Sequence, residues 1–338
     1  MNQRIVVVSA SFGAGHDGVA AELTRRLAAR GRRVERHDFV DLVPGRLGRV
    51  LRAGYHRQLT AAPRTWGWLL AAAGAGAGAA ARLTALADQA LLDAIGPGTA
   101  AVVSTYPLAS QALGRLRAQG RIAAPVCTYL TDLSVHPLWI HPGVDVHIGL
   151  HDDAARQAKE LGAADVRVTA PAVGPGFRAA PRPDRTGDPR ALIVAGAWGV
   201  GAIERAATDV AATGAAVPVV VCGRNERLRR RVERRGDAVT LGWVDDMPAL
   251  MRGCDVVVQN AGGLSSLEAL TAGLPVLTYR CIPGHGRTNA EVLDRIGWVP
   301  WIRDRAGLAG GLRRAMTGPP RFDPAPARAE DVILELAG

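Results

Sequence analysis

Short β-branched runs alternate with amphipathic stretches and glycine-rich breaks along almost the whole chain. The first run, Ile5-Val6-Val7-Val8, is apolar at every position, as a strand covered on both faces must be. A Gly-Ala-Gly break at 13–15 follows it, and then a helical period. The same order recurs and predicts strands over 4–10, 33–37, 101–104, 126–130, 145–149 and 166–169, with helices over 17–30, 109–119 and 152–161. A second series predicts strands over 191–195, 217–222, 239–242 and 255–259, with helices over 202–212, 226–235, 249–252 and 265–270. Strand, glycine turn and helix in alternation is the pattern of doubly wound α/β sheets. Between the two series, residues 171–190 are rich in Pro, Gly and Arg and have no apolar period, which marks a domain boundary. The expected domains are therefore 1–170 and 191–320, with a tail at 321–338 that carries one more helix.

Length supports two cores, because 338 residues exceed what one core usually spans. The net charge of +10 comes from arginine, Lys159 being the only lysine, and it leaves nucleic acid and anionic membranes open as partners. The densest arginine run, from Arg227 to Arg235, has no interleaved aromatic residue and reads as a solvated helix face, so no nucleic acid is expected. Cys127, Cys222, Cys254 and Cys281 lie far apart in or beside apolar runs, as buried free thiols of a reducing compartment do. No acidic residue occurs between Asp41 and Asp88, whereas Arg46, Arg49, Arg52, Arg57 and Arg64 do. Tyr55, Trp66 and an Ala/Gly-rich apolar run share that stretch, so 42–87 is expected to dock on an anionic membrane surface without spanning it. A solvated helix followed by a core helix is the competing reading. The expected location is cytoplasmic, peripheral on the inner face of the membrane.

Candidate chemistry clusters at predicted strand ends. His16 follows the first strand, where a helix N-terminus disfavours its protonated form and suits it to act as a base. Asp132 and His136 follow the strand over 126–130, on the same rim. In the second series, Gly196 to Gly201 and Asn260 to Gly263 are glycine turns that lead into helices and can cradle phosphate. Glu268 lies one turn into the helix after Gly263, within reach of hydroxyls beside such an anion. No D-x-D, H-E-x-x-H or Walker lysine occurs, so neither a metal nor a resident cofactor is expected.

Seven segments in order carry a resemblance to a known family: SASFGAGH at 9–16, TDLSVHPLW at 131–139, AGAWGVGAIE at 195–204, CGRN at 222–225, LGWVDDMPALMRGCDVVV at 241–258, NAGGLSSLEAL at 260–270 and PGHGRTN at 283–289. The chain resembles the monogalactosyldiacylglycerol synthases and processive diacylglycerol glucosyltransferases, relatives of the enzyme that adds N-acetylglucosamine to lipid I. That resemblance implies a GT-B fold, two Rossmann-like domains facing each other across a cleft. It also implies an inverting, metal-independent transfer of a hexose from a UDP-sugar to a diacylglycerol-like lipid hydroxyl.

Trp243 and Val244 would flank uracil, and Gly196, Trp198, Gly199, Gly262, Gly263 and Ser265 would line the diphosphate. Glu268 would hold the ribose. Gly13, Gly15, Arg224, His285 and Asn289 would complete the donor side. His16 or Asp132 would be the base, and His136, Trp139, Tyr55 and Trp66 would lie on the acceptor side. The tail is the candidate to cross back to the first domain. The chain departs from the family at Pro283-Gly284-His285-Gly286, where Pro-Gly-Gln-Glu is usual, and at Asn260, where lysine is common; the first departure leaves the sugar open. A polyprenyl-linked or secondary-metabolite acceptor, a UDP-GlcNAc epimerase and a UDP-sugar sensor remain alternatives.

Overall fold

A computed structural model describes residues 4–11, 14–45, 48, 81–82, 84–179, 186–194, 196–318 and 321–338. Most of the basic and apolar segment over 42–87, with Tyr55 and Trp66, lies outside them, as does Gly13. The chain divides into two compact units, Met1–Ala172 with Pro324–Gly338, and Val173–Asp323.

The first unit is built on a six-stranded parallel sheet in the order β2-β1-β3-β4-β5-β6. Its strands are β1 (Arg4–Ser9), β2 (Arg33–Asp38), β3 (Thr99–Ser104), β4 (Val126–Tyr129), β5 (Val146–Gly149) and β6 (Val166–Val168). The helices between them are α1 (Ala14–Ala29), α2 (Phe39–Leu42), α3 (Asp88–Ile95), α4 (Pro107–Ala118) and α5 (Asp152–Glu160). β1 pairs with a strand on either side, and Ile5, Val6, Val7 and Val8 are fully buried, as in a parallel sheet covered on both faces. The chain runs from β1 outward to β2, then returns to β3 on the other side of β1. The sheet therefore changes direction between β1 and β3, and the ends of those strands cannot both be covered by one connection.

The second unit repeats the plan in the order β12-β11-β10-β7-β8-β9. Its strands are β7 (Arg190–Val194), β8 (Val217–Val221), β9 (Val239–Leu241), β10 (Val256–Gln259), β11 (Val276–Tyr279) and β12 (Trp301–Ile302). Its helices are α6 (Ile203–Ala211), α7 (Glu226–Glu233), α8 (Met247–Arg252), α9 (Leu264–Thr271), α10 (His285–Arg295) and α11 (Leu308–Thr317). Here the direction changes between β7 and β10.

The tail helix α12 (Ala329–Ala337) is part of the first unit, although the chain reaches it only after the second. Its anchor is electrostatic as well as apolar. Arg26 of α1 donates to Glu22 at 2.6 Å and to Glu330 at 3.2 Å, and both carboxylates are buried. Arg30 adds an exposed pair with Asp331 at 2.7 Å, and Ala170 donates to the Ala327 carbonyl at 2.8 Å. The four cysteines are free, and Cys127, Cys222 and Cys254 are buried. No helix among the described residues is long and apolar enough to cross a membrane.

Removing one member of a buried ion pair leaves a desolvated charge, at a cost of about 3–5 kcal/mol. Arg26→Met is therefore expected to lower the urea midpoint by the equivalent of about 3 kcal/mol. A midpoint unchanged within error would show that apolar packing alone holds α12.

Candidate functional site

Both sheets place chemistry where their direction changes. In the first unit, α1 begins at Ala14, three residues earlier than the apolar period predicts, so His16 stands inside its first turn. Asp17 favours this early start as an acidic residue at the positive helix end, and it accepts from Ser9 Oγ at 2.7 Å. Gly15 is in the same turn. His16 Nδ1 lies 2.8 Å from the Thr105 carbonyl and 2.8 Å from Thr131 Oγ1. A carbonyl can only accept, so Nδ1 carries the proton and Nε2 keeps its lone pair. Thr105 follows β3, so this hydrogen bond spans the point where the sheet changes direction. Burial lowers the His16 pKa, against the charges of Asp132 and Asp17 and the Thr105 hydrogen bond that raise it. The imidazole is neutral at neutral pH and has a carboxylate near enough to favour its protonated form.

Asp132 is held from behind. Trp139 Nε1 donates to Asp132 Oδ2 at 3.0 Å, and His136 Nε2 is 3.7 Å from the same oxygen. Trp139 is fully buried beside the rings of His16 and His136, and its indole orients Asp132. The loop from Thr131 to Trp139 is clamped by three side chains. His151 accepts from Ala154 N through Nδ1 and donates through Nε2 to the Leu133 carbonyl at 2.9 Å. Gln157 accepts from Val135 N at 2.9 Å, and Gln111 donates to the carbonyls of Leu138 and Ile140 at 3.0 and 2.8 Å. His136 Nδ1 is buried without a partner among the described residues.

In the second unit, the loops after β7 and β10 are tied in the same way. Asn260 Nδ2 donates to the Val200 carbonyl at 2.8 Å across the change of direction, and Asn260 O accepts from Ile282 N at 2.9 Å. The departure at Asn260 thus has a structural role: its side-chain amide joins the loop after β10 to the loop after β7. Gly199 and Gly223 adopt φ of about +60°, and a Cβ at Gly223 would strike the Gly196 and Ala197 carbonyls at 2.6 Å. Gly262 (φ +72°) packs against Asn289, whose Nδ2 donates to the Ala261 carbonyl at 3.1 Å.

Gln259 Oε1 accepts from the amides of Ala261 and Gly262, so two N–H groups expected to face an anion are already paired. The donors that remain belong to helix ends. Helices α7 and α8 are capped by the side chains of Asn225 and Asp246, whereas α6, α9 and α10 have no side-chain cap. These three follow β7, β10 and β11, which are neighbours in the sheet. Uncapped N-termini of that kind attract an anion through free amides and the helix dipole. Gly263 and Ser265 flank the start of α9, and His285 is the first residue of α10.

Glu268 is half-buried on α9, and burial alone pushes its pKa up to about 7. It has no hydrogen-bond partner among the described residues. Trp243 is 47% exposed, donates to Asp245 Oδ1 at 2.8 Å and lies under the Arg224 guanidinium at 4.5 Å. Val244 follows it. Asn225 Nδ2 donates to the carbonyl of Trp198 at 3.1 Å, which fixes the loop from the opposite side.

The sequence model of the monogalactosyldiacylglycerol (MGDG) synthase family matches residues 16–171, and that of glycosyl transferases group 1 matches 194–315. A processive diacylglycerol beta-glucosyltransferase of Bacillus thuringiensis (strain Al Hakam) is 30% identical over 219 residues, which are 60% of this chain and 56% of that protein. Over these stretches the chain is similar to diacylglycerol glycosyltransferases. It spans little more than half the length of the curated relatives it matches. Among solved structures, MurG of Acinetobacter baumannii aligns with a TM-score of 0.57 at 14% identity, over 99% of this chain and 93% of that one. The glycosyltransferase SsfS6 of Streptomyces sp. SF2575, solved with thymidine diphosphate, aligns at 0.56 and 18%, over 93% and 94%. The two parallel-sheet, Rossmann-like units are those of the GT-B fold.

Glu268 gives the site a pH signature. Between its usual value of 4.5 and about 7, the folded chain keeps a proton that the unfolded chain has lost, so stability falls as pH rises through that window. Glu268→Gln removes the effect. At pH 8 the variant is expected to be the more stable protein, by at most about 3 kcal/mol, and to match wild type near pH 4. Equal melting temperatures at pH 8 would mean that the carboxylate is not desolvated.

Proposed function

We propose that the chain is an inverting, metal-independent glycosyltransferase that moves a hexose from a UDP-sugar to the hydroxyl of a diacylglycerol-like lipid at the cytoplasmic membrane surface. The observation that carries this reading is the neutral His16, tied through Nδ1 to Thr105, with the Nε2 lone pair left for a proton. Its affinity with diacylglycerol glucosyltransferases supplies the substrate class.

In this reading, His16 Nε2 takes the proton of the acceptor hydroxyl as its oxygen attacks the anomeric carbon. The bond from that carbon to the diphosphate breaks, UDP departs with the electron pair, and the anomeric centre inverts. Asp132 stabilises the imidazolium as it forms. The uncapped starts of α6, α9 and α10 take the charge that grows on the diphosphate, a role in which each lost donor typically costs about 2.7–4 kcal/mol of barrier. No resident cofactor is needed for these steps. Glu268 accepts from the ribose hydroxyls, which favours its ionised form, and Trp243 with Val244 sits at the base. Arg224, Trp198, His285 and Asn289 belong to the donor side, and His136 lies beside the acceptor. The arginines and aromatic residues of 42–87 bring the protein to anionic lipid, at about 1 kcal/mol for each basic residue near the surface.

UDP release from a panel of UDP-sugars, with and without diacylglycerol in anionic vesicles, tests this directly. Turnover is expected to require the vesicles and to survive EDTA. Turnover that ignores vesicles would move the acceptor to a soluble hydroxyl, and UDP-GlcNAc broken down to free sugar would favour an epimerase.

A further inference from the structure

Arg280 is the one non-glycine residue with positive φ among the described residues, at +50°. It follows β11 directly and opens the Cys281-Ile282-Pro283-Gly284 loop that leads into α10. Arginine disfavours this conformation, because its Cβ approaches the following carbonyl, so something must hold it there. The holder is on another element. Asp209, buried on α6, accepts from Arg280 Nε at 2.7 Å and from the Tyr279 hydroxyl at 2.9 Å. Arg280 Nη2 lies 2.5 Å from the same oxygen, and Arg305 Nε lies 3.6 Å from the other one.

Helix α6 is the helix that the Gly196–Gly201 turn feeds. One carboxylate therefore joins the helix behind the first glycine turn to the first residue of the loop before α10. The same two loops are joined at their far side through Asn260, which binds both Val200 and Ile282. An ion pair that served stability alone would not need a strained residue at the mouth of a loop.

We propose that Asp209 is a positioning residue for the donor site: by holding Arg280 in the left-handed conformation, it sets where α10 starts relative to the turn before α6. This inference rests on the donor reading of the second unit. Asp209 touches no substrate in it; it acts through the backbone of Arg280.

The test is a set of full-length variants read by donor KM, kcat and UDP affinity. Asp209→Asn is expected to raise the UDP-sugar KM at least tenfold, with kcat changed less than threefold. Glycine adopts positive φ freely, so Arg280→Gly is expected to stay within twofold of wild type, and Asp209→Asn with Arg280→Gly to recover most of the lost KM. Arg280→Val, whose branched side chain resists that conformation, is expected to behave like Asp209→Asn. A KM for Asp209→Asn within twofold of wild type would overturn the inference. So would a loss that Arg280→Gly does not rescue, since that loss would come from the fold and not from the backbone at Arg280. Wild-type protein that binds neither UDP nor any UDP-sugar would overturn the donor reading itself, and this inference with it.

Discussion

The constraint on which the rest depends is that a parallel sheet with helices on both faces has one place where its connections diverge. Strands on either side of that place send their chains to opposite faces, and the backbone between them is left to be satisfied by something else. Each unit has a side-chain hydrogen bond across the gap: His16 to Thr105 between the ends of β1 and β3, and Asn260 to Val200 between those of β7 and β10. The bonds are alike in position and unlike in consequence. The first uses a titratable ring and leaves a lone pair, whereas the second uses a side-chain amide, in a unit where α6, α9 and α10 start without side-chain caps.

In the first unit side chains hold the site: the Thr131–Trp139 loop answers to His151, Gln157 and Gln111, and Asp132 to a fully buried indole. In the second unit, the backbone carries the site and side chains mostly keep the loops in shape, as Gln259, Asn225 and Asn289 do. Glu268 is the exception, a half-buried carboxylate with no partner among the described residues and a raised pKa. In the proposed chemistry, the first unit handles a proton and the second an anion.

Much of this was legible in the sequence, because an all-apolar strand followed by glycine has few alternatives. Runs such as Ile5–Val8 and Val256–Val258, and the glycine breaks behind them, mark the sheets and the carboxyl ends of their strands. The positions of His16, Asp132 and Glu268 follow from that pattern. What did not follow were contacts made across the sheet. Thr105 is a common residue after a strand, and nothing local marks it as the acceptor for His16. The amides of Ala261 and Gly262 looked free until Gln259, two and three residues away, was seen to fold back on them. Nothing local marks Trp139 as the donor that holds Asp132, seven residues earlier, from a fully buried indole. Asp209 and Arg280 lie 71 residues apart in sequence, and their pairing depends on how α6 lies against β11.

The division of labour between proton and anion is tested most directly by measuring UDP affinity and turnover in His16→Ala and Glu268→Ala side by side. His16→Ala is expected to bind UDP within twofold of wild type and to lose on the order of a hundredfold or more in kcat, the usual range for a lost general base. Glu268→Ala is expected to weaken UDP binding about tenfold, the value of one or two lost hydrogen bonds to a charged group. A His16→Ala enzyme that turned over at the wild-type rate would contradict the account and leave Asp132 as the base.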